Sequence, residues 1–494
     1  TSSAEWADGW LGLEVGSDIA LSNAMGRVIL EAGLENRPFI ERATTGFKAY
    51  RAVVQKYDLA RAERLTGVPA ALIERLAIDY ARADRAMLCW TLGITEHHNA
   101  VENVFALINL ALLTGHVGRH GSGLSPLRGQ NNVQGGGDMG ALPTKLPGFQ
   151  DVEDPVARAK FERAWGSPIP PKNGWHLTEM FEAMGRGDLT CVYVYGENPA
   201  QSEADSHHTM KLLSGLEFLV VQDIFLTKTA ELAHVVFPGS ASWCEAEGTV
   251  TNSERRVQRV RRALPLPGDA RDDIQIFCDL ARRLGKDFGS PTAEEVWSEL
   301  RSLSPMHKGM TYPRLEQLGG LQWPCANEED PGAMHLHQRL WENPVVGPRA
   351  PFHAVEDEPP VEALDDRFPL RLTTGRRLDS YNTGVQSGSF TSPLRHAEAL
   401  ELSPDDARRY GVIDDERVKI TSRRGSVVAP VRIVPSLKPG LVFMTPHSPD
   451  EVDVNILTID ATDPLSGTAE FKAAAVRIDK LEPALREIDA APTE

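Results

Sequence analysis

"LTCVYVYGENPAQ" (residues 189–201) and "LEFLVVQDIFLT" (216–227) decide the fold. Each is a β-branched, aromatic run with no polar alternation, so each reads as a strand buried on both faces. The first runs into Gly196-Glu197-Asn198-Pro199, and a helix follows it. The second ends near Asp223, with Thr227 and Thr229 just beyond. A third short strand, "AHVVFPG" (233–239), comes after "LTKTAEL", and "DDIQIFCDLARRLG" (272–285) is a capped amphipathic helix. Doubly buried strands separated by helices predict a parallel α/β sheet. Ligands of such sheets bind outside the carboxyl ends of the strands. Glycine there allows a close backbone approach, and a carboxylate can take a ribose diol or the N–H edge of a guanine.

Upstream the same alternation recurs. "AMLCWTLG" (86–93) is a short buried strand, and "NAVENVFALINLALLTG" (99–115) is a core helix with Asn99 as its cap and Gly115 as its stop. Residues 18–115 are mostly helical, with Leu72, Ile73, Leu76, Ala77 and Tyr80 at helical spacing. The N-terminal stretch predicts a strand at Leu11–Val15, a Gly-Ser-Asp turn and a helix capped near Asp18. It has neither a basic region nor an apolar signal core, and it reads as the middle of a domain. His97-His98, after the strand at 86–93, is expected to be structural.

Downstream the texture changes. Residues 300–366 are rich in Pro, Glu and Asp, weakly periodic, and read as a connecting excursion. From about 367 short alternating strands take over: "FPLRLTTG", "ERVKITSRRGSVVAPVRIV", "GLVFMTP" and "FKAAAVRID". "SRRGS" is a hairpin turn, and one helix (Ser403–Tyr410) interrupts the strands, as in a small β-barrel. The expected fold class is α/β, with parallel-sheet, nucleotide-binding-like domains followed by a C-terminal β-barrel.

The chain has 494 residues, 41% hydrophobic and 24% charged, with a formal net charge of −17. That charge argues against a broad nucleic-acid surface. No apolar run approaches the ~18 residues of a membrane span. The five cysteines, Cys89, Cys191, Cys244, Cys278 and Cys325, show no C-x-x-C pair. They are expected as buried free thiols in a reducing, cytoplasmic setting, and no metal ligand is assigned.

"SPLRGQNNVQGGGDMGALP" (125–143) carries the chemistry. Arg128 stands before Gln130, Asn131, Asn132 and Gln134, and nine glycines fall between 115 and 140. Amides donate and accept in fixed planes and suit a ring rich in heteroatoms. A lone arginine offers a planar fork to a small carboxylate or oxyanion. An ordered loop is expected here, lining a heterocyclic cofactor and a small anion. "EAEGTVTNSERRVQR" (245–259) gathers Glu247, Asn252, Glu254, Arg255 and Arg256, either as a ligand site or as a solvated turn. In "TTGRRLDSYNTG" (373–384), Arg376 and Arg377 could meet a diphosphate.

"PLRGQNNVQGGGDMGALP" resembles the signature of catalytic subunits of molybdenum- or tungsten-dependent formate dehydrogenases, in the molybdopterin oxidoreductase family. The resemblance continues through "GSDIALSNAMG", "YGENPAQSEAD", "VVQDIFLTKTAELAHVVFP", "QWPC" and "LTIDATDPLSGTAEFKAAAVRID". It implies two molybdopterin guanine dinucleotides holding one Mo or W. Arg128 would orient formate, and Gln130 would lie beside the metal and pterin. Gly196, Glu197, Asn198, Asp223, Thr227 and Asp273 would surround a guanine dinucleotide tail. Arg376, Ser380, Tyr381, Asn455, Phe471 and Lys472 would contact cofactor from the barrel.

The implied reaction is reversible oxidation of formate to CO2. Electrons would leave through iron–sulfur clusters and flavin subunits to an acceptor such as NAD. By the resemblance, the cluster and metal-ligand residues lie upstream of Thr1. The chain is thus expected to be a C-terminal portion that needs its N-terminal half for activity. The implied domains are 1–127 (α/β, begun upstream), 128–299 (guanine-dinucleotide-binding α/β), 300–366 (excursion), 367–484 (barrel) and 485–494 (tail). Alternatives are another member such as a nitrate reductase, or a non-catalytic scaffold with this fold.

Overall fold

The two apolar runs at 189–195 and 216–223 form a three-stranded parallel sheet with the short strand that follows them. Cys191–Tyr195 pairs with Phe218–Asp223, which in turn pairs with Val235–Pro238. The central strand is the most buried, with Leu219 and Val221 fully inaccessible, as its unbroken apolar run requires. Tyr195 lies opposite Gln222, and Asp223 opposite Pro238, so the loops after all three strands emerge on one edge. The structure is a computed structural model that describes residues 2–242, 244–377, 380, 382–383 and 397–481. The chain divides into two units: residues 1–198, 212–359 and 462–468, and residues 199–211, 360–461 and 469–494.

In the first unit, helix Asp18–Glu31 packs against Ala70–Arg82 and Ala100–Thr114. Their core holds Ile29, Tyr50, Tyr57, Ile73, Leu110 and Leu113. Gly115 ends the third helix at φ +73°, where only glycine is unstrained. Strand Met87–Trp90 pairs in parallel with Gly123–Pro126, from Met87 opposite Gly123 to Trp90 opposite Pro126.

Several expectations need correction. No strand forms at Leu11–Val15, and the first long helix starts at Asp18 with Ser17 as its N-cap residue. The glycine-rich loop contains a strand, Gly123–Pro126, and a helix, Val133–Asp138, because its backbone finds partners that side-chain periodicity does not advertise. Residues 300–359 are built into the first unit. Met310, Tyr312, Leu315, Leu321 and Cys325 share a core with Val257 and Trp297. Strand Leu321–Gln322 extends the hairpin Gly248–Thr251/Arg256–Val260. Tyr312–Gln317 and Leu321–Gln322 are six and two residues long, too short to print a period. The cysteines are all free, but Cys89 and Cys191 are exposed while Cys278 and Cys325 are buried.

The second unit contains a closed six-stranded barrel. Its order is Leu370–Thr374, Leu441–Met444, Leu400–Leu402, Ser426–Ile433, Arg417–Thr421 and Ala474–Lys480, returning to the first. Alternation fixes which side chains fill it: Leu370 and Leu372, Val418 and Ile420, Ala429 and Val431 are all inside. The turn at Thr421–Ser426 is the expected hairpin, closed by the Ser422 N–H donating to Gly425 O at 2.9 Å.

Candidate functional site

Arg128 follows the carboxyl end of strand Gly123–Pro126, where the parallel-sheet rule places a ligand. It is held at two points. Its main-chain N–H donates to Ser253 Oγ at 3.1 Å, and its Nη2 donates to Gln134 Oε1 at 3.1 Å. No carboxylate pairs with it among the described residues, and the residue is exposed. Asn132, at φ +64°, accepts from Thr251 N–H at 2.9 Å and pins the amide run to the hairpin. Gln130 makes no side-chain hydrogen bond among the described residues. The amide that meets Arg128 is Gln134. In the hairpin turn, Glu254 pairs with Arg256 at 2.9 Å and takes a bond from Asn252 at 3.2 Å. Arg255 instead turns inward, donating to Ala333 O at 3.0 Å.

A second group sits at the carboxyl edge of the three-stranded sheet. Gly196 has φ +64° and open space where a Cβ would stand. Glu197 keeps exposed surface, yet surrounding protein pushes its carboxyl pKa up and the Asp223 charge adds to this. Burial likewise raises Asp223, with the Asp273 charge a smaller contribution in the same direction. Asp223 Oδ1 accepts a local bond from Phe225 N–H at 3.0 Å.

Two carboxylates crowded at a strand edge are stabilised by a ligand that brings N–H or O–H donors. A guanine edge or a ribose diol has that pattern, so the residues fit such a group. Asn198 accepts from the Thr229 hydroxyl at 2.9 Å, and Thr227 caps the turn Lys228–Glu231 through Ala230 N–H. Asp273 is engaged within the chain. It accepts from Gln222 Nε2 at 2.6 Å, Tyr195 Oη at 3.0 Å and Ser240 Oγ at 3.2 Å. It therefore ties the strand ends together.

In the barrel unit, Arg376, Phe471 and Lys472 gather at the end of strand Leu370–Thr374. Lys472 Nζ donates to Thr374 O at 2.8 Å, and Thr374 Oγ1 donates to Phe471 O at 2.8 Å. Arg376 is exposed two residues beyond the strand, and Arg377 pairs with Glu401. Ser380 N–H donates to Arg377 O at 3.4 Å. Asn455 is buried and donates from Nδ2 to Gln201 O at 3.1 Å. Tyr381 lies outside the described residues.

Each unit thus presents a feature suited to a nucleotide-like group: open loops with carboxylates at the edge of a parallel sheet in the first, and a basic cluster at a strand end in the second. Comparison with known proteins makes that specific: the chain belongs to the molybdopterin oxidoreductase family, which it matches over residues 1–283. Residues 370–475 match a molydopterin dinucleotide binding domain. The protein is thus an oxidoreductase that uses a molybdopterin cofactor.

The F420-dependent formate dehydrogenase 1 subunit alpha of Methanococcus maripaludis is 39% identical over 485 residues, 97% of this chain and 71% of the relative. An assimilatory nitrate reductase catalytic subunit of Bacillus subtilis is 34% identical over 490 residues, 97% of this chain and 69% of the relative. Acetylene hydratase from Pelobacter acetylenicus shares the fold at a TM-score of 0.72, with 19% identity, 97% of this chain and 72% of that chain covered. No helix among the described residues is long and apolar enough to cross a membrane.

Proposed function

We propose that the protein oxidises formate reversibly to CO2 at a Mo or W centre carried by two molybdopterin guanine dinucleotides. When bound, that centre supplies a two-electron acceptor, so that breaking the C–H bond of formate yields CO2, one proton and two electrons. Iron–sulfur clusters and partner subunits would carry the electrons onward. Arg128 binds the formate carboxylate and thereby sets which way the C–H points. Gln130, in the same motif, is assigned beside the metal and pterin. Glu197 and Asp223 hold guanine or ribose donors, with Gly196 giving clearance and Asn198, Thr227 and Asp273 shaping the edge. Arg376, Phe471 and Lys472 hold cofactor from the barrel, and the family resemblance adds Ser380, Tyr381 and Asn455 as further cofactor contacts.

The observation that carries this reading is Arg128 itself. It is an exposed arginine at a strand's carboxyl end, and its side-chain partner among the described residues is a neutral amide. Formate has one carboxylate and almost no apolar surface, so a planar two-pronged donor is the group that can orient it. Nitrate presents similar oxygens, and the Bacillus subtilis relative favours it as the second reading. Steady-state turnover of the assembled, metal-loaded enzyme with each anion separates them. Formate oxidation with no nitrate reduction is expected; the reverse would transfer the assignment to nitrate.

A further inference from the structure

We propose that Gln134, Asp138 and Trp323 form a positioning chain that fixes the direction in which Arg128 presents its guanidinium. This rests on the reading of Arg128 as the carboxylate-binding residue. Arg128 Nη2 donates to Gln134 Oε1 at 3.1 Å, Gln134 Nε2 donates to Asp138 Oδ1 at 2.9 Å, and Trp323 Nε1 donates to Asp138 Oδ2 at 2.7 Å. Asp138 is fully inaccessible. Both of its oxygens accept, which is the bonding pattern of an ionised carboxylate.

The chain works because an amide has two chemically opposite ends of nearly equal shape. Facing water, a glutamine can turn either end toward an arginine. Gln134 cannot do so freely, since a carboxylate accepts and never donates. Its NH2 must therefore face Asp138, which leaves its carbonyl oxygen for Arg128. A buried negative charge two hydrogen bonds away thus decides that Arg128 meets an acceptor.

Asp138 is itself anchored from a distant segment. Trp323 lies 185 positions along the chain, and Arg255 stacks over its ring at 5.2 Å. Burial raises the Asp138 pKa, while bonds from Gln134 and Trp323 and the charges of Arg128 and Arg255 oppose that rise. With Ser253 holding its main chain and Gln134 one N–H, Arg128 keeps Nη1 and Nε without a partner among the described residues, available to a small anion.

The test is a donor–acceptor swap. Asp138→Asn places an NH2 against either Trp323 or Gln134. Gln134 escapes by rotating, and it then turns its own NH2 toward Arg128. In the double variant Asp138→Asn/Trp323→Phe the competing indole N–H is gone, so the amide introduced at position 138 can turn its oxygen to Gln134 Nε2. Gln134 then keeps its own oxygen toward Arg128, and no charge is added beside the anion site. Using the assembled, metal-loaded enzyme, formate KM should rise about tenfold in the single variant. It should return to within about threefold of wild type in the double variant, following the restored hydrogen bonds.

Azide serves as a non-reacting triatomic anion, and its dissociation constant, measured by calorimetry, should follow the same order. Arg128→Ala is the control. If Arg128→Ala leaves formate KM and azide affinity unchanged, the carboxylate-binding reading fails and the chain falls with it. If Arg128→Ala weakens both but a folded, metal-loaded Asp138→Asn enzyme does not, the positioning chain alone is overturned. Should Asp138→Asn fail to fold, recovery of folding and anion affinity in the double variant supports the chain, and no recovery overturns it.

Discussion

Replacing Glu362 with glutamine should loosen the barrel. Glu362 is buried, with a side chain 5% exposed, and four donors converge on it. Arg424 donates from Nη2 at 2.9 Å and Nη1 at 3.0 Å, Arg423 from Nη1 at 2.9 Å, and Ala475 N–H at 2.7 Å. Arg423 is 36% exposed and adds at most ~1 kcal/mol after screening. Arg424 is only 14% exposed, so its loss of a partner dominates. Glutamine turns an NH2 toward one of these donors and leaves Arg424 charged and underpaired. Breaking a buried pair this way costs roughly 3–5 kcal/mol.

The nine tryptophans all precede residue 342, so fluorescence does not report on the barrel. Hydrogen exchange in peptides covering 417–433 does. Exchange there should speed by roughly 100-fold or more, since each ~1.4 kcal/mol is a factor of ten. The bonds to Arg424, Ala475 and Arg423 together outweigh burial, the largest single influence, and hold the Glu362 carboxyl below its ordinary range. Its stabilisation is therefore present above the unfolded carboxylate pKa of ~4.3 and is lost as pH falls through the lower folded value. The glutamine variant should lose that part of the acid limb. Exchange within about threefold of wild type would show that the ion pair adds nothing net, as the desolvation argument allows.

Gly26→Ala should destabilise the first unit by about 1–3 kcal/mol, because the new Cβ would clash with Tyr50 Oη. That hydroxyl is buried without a partner among the described residues, so Tyr50→Phe alone should cost little and should rescue Gly26→Ala; thermal melts of the four proteins check this. Asp223→Ala should weaken cofactor retention by roughly 1.5–3 kcal/mol while leaving formate KM near normal in the fraction that keeps metal. Pterin and metal analysis beside kinetics would refute it if retention were normal and formate affinity poor.

The sequence made the parallel sheet legible because the middle of its central strand is buried on both faces, so residues 218–221 print as one apolar run. The barrel was legible through alternation, as in Leu370, Leu372 and Thr374. The core around Met310 and Leu321 was not, since two- and six-residue elements carry no period and their burial is set by distant partners. At the site, the signal for Arg128 was its isolation among amides. Which amide meets it was hidden: the short helix Val133–Asp138 brings Gln134 back to Arg128, and three glycines inside that helix argued against any helix at all. Trp323 and Ser253 could not be found by spacing, because they reach this loop through the fold from far along the chain.

The central claim, that Arg128 orients formate, is tested most directly by formate oxidation kinetics of wild-type and Arg128→Lys enzyme, assembled and assayed with metal analysis in parallel. Lysine keeps the charge and loses the planar fork. With metal content near wild type, kcat/KM should fall about 100-fold, the scale of a ~1 Å misplacement of the reacting bond. Lost cofactor or lost folding would instead make Arg128 a pin for the glycine-rich loop, and wild-type kinetics in a fully metallated variant would end the claim.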